Sequence, residues 1–324
     1  MGIFALPLLV LLAGAEPLPS LDERVVVPPP ARPIVIKPVL LESVAVVAEE
    51  PRYVAPTRLD QIGRIWAPVT VNGRGPFRLV LATGASNTAV TPHLAEELGV
   101  QADPSHTVML RGSTGSVAVP VVPVESLEIG DFLMQPGRLA VIPDALGGAD
   151  GVLGMDALAN KRIQIDFRHD RVTIMRSKNQ RAASGFTIIP VSMLHGLLVV
   201  DAVMGGVPVK AIIDTGGQVT LGNQALRTAL AARRGDGVQD GKLDQVFGST
   251  LDMQVGTRLA TPALALGTLQ VRSPSMTFAD FEIFKHWKMT EEPAMLIGMD
   301  VIGLLDALVI DYRRQELQVK LSRM

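Results

Sequence analysis

An internal repeat constrains the fold of this chain more than any other feature of its sequence. The stretch FRLVLATGASNTAV at 77–90 has a counterpart, VKAIIDTGGQVTLG, at 209–222, and each is an apolar run that breaks at a Thr-Gly pair. In this alignment Ala82 stands where the second copy has Asp214. The sequence therefore raises the question of why one copy carries a carboxylate and the other a methyl group.

Three further landmarks recur in the same order in both copies. They are GST at 112–114 and 248–250, LEIG and LALG ending at Gly130 and Gly267, and VLGMD and LIGMD at 152–156 and 296–300. Ordered self-similarity of this kind indicates a duplicated structural unit. We therefore predict two lobes, residues 62–182 and residues 183–324.

The local patterns within each copy favour short strands and a few helices. Asn72-Gly73 between two apolar stretches predicts a hairpin turn. After the first Thr-Gly pair, Thr91 as N-cap, Pro92 at the first helical position and Gly99 as terminator predict a short helix. Asn223 is expected to cap the corresponding helix in the second copy. Each copy is thus predicted to be a small β-rich lobe.

Composition excludes several functional classes. The chain has 324 residues, enough for about two domains, and its net charge of −2 gives no electrostatic case for binding nucleic acid. The absence of cysteine excludes disulfides, thiol nucleophiles and Cys-rich zinc sites. The histidines lack HExxH or His-x₃-His spacing. We therefore predict no metal site and no cofactor.

The N-terminal region differs in composition from the two copies. Residues 3–13 form an apolar run too short to span a bilayer, and Ala13-Gly14-Ala15 follows as a possible cleavage site. We predict a signal peptide at 1–15, although its start lacks Lys and Arg; an apolar N-terminus or a misassigned start is the alternative. Residues 16–61 are predicted to be a Pro-rich arm. Export to a bacterial periplasm or secretion, with no integral membrane segment after signal removal, is expected.

The Thr-Gly stretches carry a family resemblance. AIIDTGG at 211–217 has the apolar strand, Asp-Thr-Gly and small residue of the aspartic proteases, and LVLATGAS at 79–86 matches except for the Asp. Together with the repeat, these motifs mean that the chain resembles the retropepsin-like aspartic protease family, in its bacterial form with two lobes fused in one chain. The resemblance covers roughly 62–324. It implies a mainly β, bilobal fold of two β-barrel-like lobes with short helices.

The resemblance also implies a site. In such proteases two close carboxyl groups share one proton and activate a water, so Asp214 would be catalytic and Ala82 marks the missing partner. Thr83 and Thr215 would hydrogen-bond across the lobes. The active-site loops would comprise Thr83, Gly84, Ala85, Ser86, Thr215, Gly216 and Gly217. Flaps that bind a polypeptide substrate by strand addition would comprise Gly112, Ser113, Thr114, Gly248, Ser249 and Thr250.

Two other aspartates follow the apolar-Gly-Met elements of the two copies. Asp156 and Asp300 could replace the missing carboxylate, but we expect each to cap the short helix that follows it.

Ala82 leaves three interpretations open. The chain is an aspartic endopeptidase impaired by a natural or introduced loss of one Asp; or a pseudoprotease that binds peptides without cleaving them; or a protein in which two chains bring their Asp214 residues together. Losing a positioned acid–base group costs about 10²–10⁴ in rate. The retained Thr, Gly and Ser of the first loop favour the endopeptidase, which would hydrolyse peptide bonds through a water activated between the lobes.

Overall fold

The computed structural model describes residues 3–4, 10–12, 52–56, 64–169, 171–234, 241–272 and 274–321. The fold is mainly β, with 51% strand and 12% helix, which confirms the predicted fold class. Most of the predicted signal peptide and Pro-rich arm, including a possible strand at 44–47, lies outside the described residues.

The strands and helices are numbered along the chain. The N-terminal region contributes β1 (Ile3–Phe4), β2 (Val10–Leu12) and β3 (Arg52–Pro56). The first copy contains β4 (Trp66–Val71), β5 (Arg74–Leu81), β6 (Ala89–Val90), α1 (Pro92–Leu98), β7 (Asp103–Arg111), β8 (Ser116–Val124), β9 (Leu127–Ile129), β10 (Phe132–Met134), β11 (Gly137–Val141), β12 (Gly151–Leu153), α2 (Met155–Leu158), β13 (Lys161–Asp166) and β14 (Arg171–Arg176). The remainder contains β15 (Thr187–Pro190), β16 (Ser192–Leu194), β17 (Leu197–Met204), β18 (Val207–Ile213), β19 (Leu221–Gly222), α3 (Gln224–Arg234), β20 (Lys242–Phe247), β21 (Met253–Ala260), β22 (Leu264–Leu266), β23 (Leu269–Val271), β24 (Ser275–Phe278), α4 (Glu282–His286), β25 (Ala294–Ile297), α5 (Met299–Ile302), β26 (Leu305–Asp311) and β27 (Glu316–Leu321).

The two copies fold with the same strand order. The first sheet runs β10-β9-β4-β5-β12-β6-β11-β8-β7-β2, and the second runs β23-β22-β17-β18-β25-β19-β24-β21-β20-β1, with β16 paired to β17. Each strand on the path of one sheet, apart from the extra β16, therefore has a counterpart in the other. The chain thus has two equivalent lobes, and each sheet is extended at its last edge by a strand from the N-terminal region.

Local sequence explains how the first lobe begins. Asn72 and Gly73 have φ values of 49° and 69°, the left-handed conformation that a two-residue hairpin turn needs, and they join β4 to β5. The hydroxyl of Thr91 accepts the amide proton of Leu94 at 3.3 Å, Pro92 starts α1, and Gly99 ends it with φ 70°. The predicted turn and helix caps are confirmed.

A third sheet joins the lobes. Its order is β15-β27-β26-β13-β14-β3, so strands of the first lobe, the second lobe and the N-terminal region lie side by side in one sheet. Arg162 of β13 pairs with Asp311 of β26 at 3.0 Å, and both side chains are buried. The hydroxyl of Ser177 donates to the same carboxylate at 2.6 Å. This shared sheet holds the lobes in a fixed relation, so the two Thr-Gly loops can face each other.

Candidate active site

Each Thr-Gly loop follows a central strand of its lobe. β5 ends at Leu81 and lies parallel to β12, and the amide of Ala82 donates to the carbonyl of Leu153 at 3.1 Å. In the second lobe, β18 lies parallel to β25, and the amide of Asp214 donates to the carbonyl of Ile297 at 2.9 Å. The same local geometry therefore presents Ala82 in one lobe and Asp214 in the other.

Thr83 and Thr215 lock the two loops together. The hydroxyl of Thr83 donates to the carbonyl of Ile213 at 2.8 Å and accepts the amide proton of Thr215 at 3.1 Å. The hydroxyl of Thr215 donates to the carbonyl of Leu81 at 2.6 Å and accepts the amide proton of Thr83 at 3.2 Å. Both side chains are fully buried, so these four bonds form away from competing water. The hydrogen bonds expected between the lobes are present.

The carboxyl group of Asp214 is held by both lobes. Its Oδ1 accepts amide protons from Gly216 at 2.8 Å and from Gly84 of the other lobe at 3.1 Å. Its Oδ2 is buried and has no hydrogen-bond partner among the described residues. One oxygen is thus fixed in direction by amides of both lobes. A buried polar atom without a partner is unusual enough to require an explanation.

Burial dominates the acidity of Asp214. Its side chain is 1% exposed, and the loss of hydration raises its pKa from 3.8 to about 6. The amides of Gly216, Gly84 and Gly217 and the charge of Arg64 favour the ionised form, but they only partly oppose that effect. Asp214 therefore changes its protonation state close to pH 6, within reach of neutral conditions.

Ala82 lies against the loop that carries Asp214. A Cβ built on Gly216 would lie 2.7 Å from the Cβ of Ala82 and 3.1 Å from Oδ1 of Asp214. Such distances leave no room for a side chain, so this approach of the loops requires glycine. Ala82 therefore lies directly beside the loop that holds the carboxyl group of Asp214.

Asp156 and Asp300 bind threonines of their own lobes. Oδ1 of Asp156 accepts from the amide and hydroxyl of Thr88 at 2.9 and 2.7 Å. In the second lobe, Oδ2 of Asp300 accepts from the amide of Thr220 at 3.0 Å and Oδ1 accepts from its hydroxyl at 2.7 Å. Helices α2 and α5 begin after Gly154 and Gly298, without a side-chain cap. The expectation that these aspartates cap their helices is therefore wrong. They lie in the first helical turn and anchor the segment that follows each Thr-Gly loop.

The rest of each loop is held through its backbone. The carbonyls of Ala85 and Gly217 accept the amide protons of Met155 and Met299, both at 2.8 Å. Ser86 and its counterpart Gln218 accept through their carbonyls from the next residue of each helix at 3.2 Å. Loop and helix therefore form one rigid unit in each lobe.

The two GST segments form the turns of long hairpins. We define the first flap as β7, β8 and their turn 112–115, and the second flap as β20, β21 and their turn 248–252. The turns contact each other, because the hydroxyl of Thr114 donates to the carbonyl of Asp252 at 2.9 Å. A Cβ on Gly112 would lie 3.1 Å from the Oγ of Ser249. The structure therefore brings all six predicted flap residues into one meeting point between the lobes.

Several buried polar atoms of the loops and flaps have no partner among the described residues. They include two pairs related by the internal repeat, Ser86 Oγ with Gln218 Oε1 and Ser113 Oγ with Ser249 Oγ. Leaving such a group unsatisfied costs about 1–3 kcal/mol. Gln218 is absent from the residues predicted for the site, although its alignment with Ser86 is a usable signal. The set therefore follows the internal repeat, with one member of each pair in each lobe.

Comparison with known families agrees with this geometry. Residues 67–157 match the family model described as aspartyl protease, of the retropepsin-like type. This part of the chain is therefore similar to the retropepsin-like aspartyl proteases. No curated protein matches the chain. The match runs from β4 to α2, so it contains the loop with Ala82, whereas Asp214 lies in the second lobe beyond it.

Within the described part of the chain, no group of three or more His, Asp or Glu side chains could hold a metal ion. No helix among those residues is long and apolar enough to cross a membrane.

Proposed function

We propose that the chain is an aspartic endopeptidase of the retropepsin type whose hydrolytic step is impaired because Ala82 replaces one of two catalytic aspartates. The family match supports a protease-type function. The observation that carries the proposal is Asp214 itself: its Oδ1 is held by amides of both lobes, and its Oδ2 is buried without a partner among the described residues.

A lone carboxyl group can act as a base when it is ionised or as a hydrogen-bond donor when it is protonated, but it cannot do both at once. Above about pH 6, ionised Asp214 accepts a proton from a water that attacks the peptide carbonyl. Below that pH, neutral Asp214 donates a hydrogen bond to the carbonyl oxygen. In a complete pair the two groups share one proton and provide both functions together. We therefore expect slow hydrolysis at best.

The substrate would be an extended polypeptide. The outer strands of the two flaps, β7 and β20, accept strand addition, since β2 and β1 pair with them in the structure. The unpartnered atoms of Ser86, Gln218, Ser113 and Ser249 would complete hydrogen bonds to such a chain. Because these atoms occur in pairs related by the repeat, they suit a ligand that passes through both lobes.

The second candidate is a pseudoprotease that binds peptides and releases them intact. The close approach of Gly216 to the methyl group of Ala82 favours it, because the loops already pack around an alanine. In this case the flaps and loops form a peptide-binding module. The two candidates differ only in what happens to the bound peptide.

Restoration of the carboxyl group tests the proposal. We expect Ala82→Asp to raise the cleavage rate of an unfolded protein substrate by about 10²–10⁴. Ala82→Asn is the matched control, because it adds nearly the same volume without an acid. Cleavage is followed by mass spectrometry between pH 3 and 7, and the restored pair should titrate as a coupled pair with a bell-shaped profile.

Two results would contradict the proposal that the chain is an endopeptidase. One is an Ala82→Asp variant that binds peptides but leaves them intact at every pH, which would assign the pseudoprotease. The other is activity that persists when Asp214→Ala is added, because a true pair needs both groups.

We further propose that the chain is exported after removal of residues 1–15. A mature N-terminus near Glu16 in a periplasmic or extracellular fraction, found by N-terminal sequencing, is the expected result. Intact Met1 in the cytoplasmic fraction would rule it out.

A further inference from the structure

We propose that a cavity in the second lobe binds one molecule of a free fatty acid, with the aliphatic chain inside the cavity and the carboxylate at Arg272. The cavity shares no lining residue with the Thr-Gly loops or the flaps, so the inference goes beyond the proposed function. It does not depend on whether the chain cleaves or binds peptides.

The cavity lies where the sheet of the second lobe meets the sheet that joins the lobes. Its volume is about 500 Å³, which is typical of small-molecule sites in proteins. Its walls come from β18, β22, β23 and β25 of one sheet, from β15, β26 and β27 of the other, and from α5. All but three of the lining residues are aliphatic. Because apolar cavities stay dry and bind apolar molecules, an aliphatic chain suits this space.

The internal repeat provides a comparison within the same chain. In the first lobe, β10 begins with Phe132 and β13 begins with Lys161, and the ammonium group of Lys161 lies 4.9 Å from the centre of the Phe132 ring. The corresponding strands of the second lobe, β23 and β26, begin with Leu269 and Leu305, and both leucines line the cavity. The second lobe therefore has aliphatic side chains where the first lobe has an aromatic ring covered by a lysine.

The rim of the cavity differs from the first lobe in the same direction. Leu304 and Leu321 line the cavity and are 61% and 49% exposed, so the cavity opens to solvent beside them. At the corresponding places the first lobe has Asn160, directly before β13, and Arg176, at the end of β14. Exposed apolar side chains grouped around one opening indicate a binding surface. The second lobe thus has an apolar entrance where the first lobe has polar residues.

The three polar residues of the lining indicate the head group of the ligand. They are Thr268, Gln270 and Arg272, which lie on β23 or directly beside it. Arg272 is exposed, and no carboxylate among the described residues pairs with its guanidinium group. Thr268 and Gln270 can donate further hydrogen bonds. A carboxylate complements this end of the cavity, so a molecule with one carboxylate and one aliphatic chain matches the whole lining.

The cavity also reaches the strands that hold the Asp214 loop. Its wall includes Ile213, which directly precedes Asp214, and Ile297, whose carbonyl accepts the amide proton of Asp214 at 2.9 Å. An aliphatic chain in the cavity would pack against both isoleucines. Occupancy would therefore act on the position of Asp214 through its two neighbours.

Isothermal titration calorimetry of the full-length chain with dodecanoate, below its critical micelle concentration, tests the site. We expect saturable binding of one molecule per chain. Leu304→Asn should weaken this binding by about fivefold, because the ligand no longer covers a leucine at the rim. Leu133→Asn is the matched control, since Leu133 is 60% exposed on β10 of the first lobe and its loss should leave the affinity unchanged. The absence of saturable binding, or an equal loss in both variants, would overturn the proposal.

The head group is tested with the same assay. Arg272→Gln should weaken the binding of dodecanoate by about threefold, as expected for the loss of an exposed ion pair. Dodecyltrimethylammonium has the same aliphatic chain and a positive head group, so it should bind the parent protein more weakly than dodecanoate does. Equal affinities for the two amphiphiles would overturn the assignment of a carboxylate.

Methyl NMR spectra of the full-length chain locate the ligand. Dodecanoate should shift the signals of Ile213 and Ile297, which line the cavity. It should not shift those of Leu81 and Leu153, which the repeat aligns with these isoleucines in the first lobe. Shifts that leave Ile213 and Ile297 unchanged would place the fatty acid elsewhere and overturn the proposed site.

Discussion

Replacing Asp214 by asparagine should make the stability of the protein less sensitive to pH. Asparagine retains an oxygen for the amides of Gly84 and Gly216 but cannot ionise. Burial raises the pKa of Asp214 from 3.8 to about 6, so the folded state holds this proton more tightly than the unfolded state does. The contribution of Asp214 to stability is therefore fully present below pH 3.8 and is lost as the pH rises through about 6.

The size of the change in stability follows from the shift in the pKa of Asp214. A difference of about two pKa units corresponds to about 3 kcal/mol between the two ends of this pH window. The asparagine variant also carries a constant penalty of about 1–3 kcal/mol, because its amide nitrogen takes the position of Oδ2, which has no partner among the described residues. We therefore expect the variant to be less stable than the parent at pH 4 and as stable or more stable at pH 8.

Urea denaturation at pH values from 4 to 8 measures this difference. Subtracting the two unfolding free energies at each pH cancels the titration of groups common to both proteins. Asp280→Asn, at an exposed aspartate, is the matched control for the loss of one carboxyl group. A free-energy difference between Asp214→Asn and parent that stays constant over the whole range would refute the assignment of a buried, mainly neutral Asp214.

Two further predictions concern the contact between the loops. Thr215→Val should lower the free energy of unfolding by about 2–4 kcal/mol in urea denaturation, because the carbonyl of Leu81 and the amide of Thr83 lose their buried partner. Thr215→Ser, which keeps the hydroxyl, should retain most of the stability that the valine variant loses. Gly216→Ala should lower the free energy of unfolding by about 1–3 kcal/mol, because the added methyl group contacts Ala82. In a double-mutant cycle, Ala82→Gly should relieve that loss, whereas additive effects would contradict the packing argument.

The sequence predicted those parts of the fold that local signals determine. The turn at Asn72-Gly73 and the cap at Thr91 depend on residues within a few positions of each other, and both are confirmed. The repeat predicted two equivalent lobes, and the matching strand orders confirm the duplication. The facing Thr-Gly loops were also predictable, because the repeat aligns Thr83 with Thr215 in the sequence itself.

Contacts between distant segments were not predictable in the same way. Asp156 was expected to cap a helix because it stands at the start of one, but its partner is Thr88, far away in the chain. The sheet that joins the lobes includes Arg52–Pro56 from the predicted arm, whose prolines favoured an unpaired segment. The pairing of β2 with β7 likewise depends on an edge that only the folded lobe creates.

The structure changes what the intact first loop implies about catalysis. Retention of Thr83 and Gly84 beside Ala82 favoured a protease in the sequence, but both residues also maintain the fold, since Thr83 binds the carbonyl of Ile213 and Gly84 binds the carboxylate of Asp214. Folding alone would require them. Ser113 and Ser249 differ, because their buried hydroxyls make no hydrogen bond among the described residues and so cost stability. An ordered water or a bound peptide would complete these hydrogen bonds, so the flap serines, and not the Thr-Gly loop, are the place to test the proposed peptide binding.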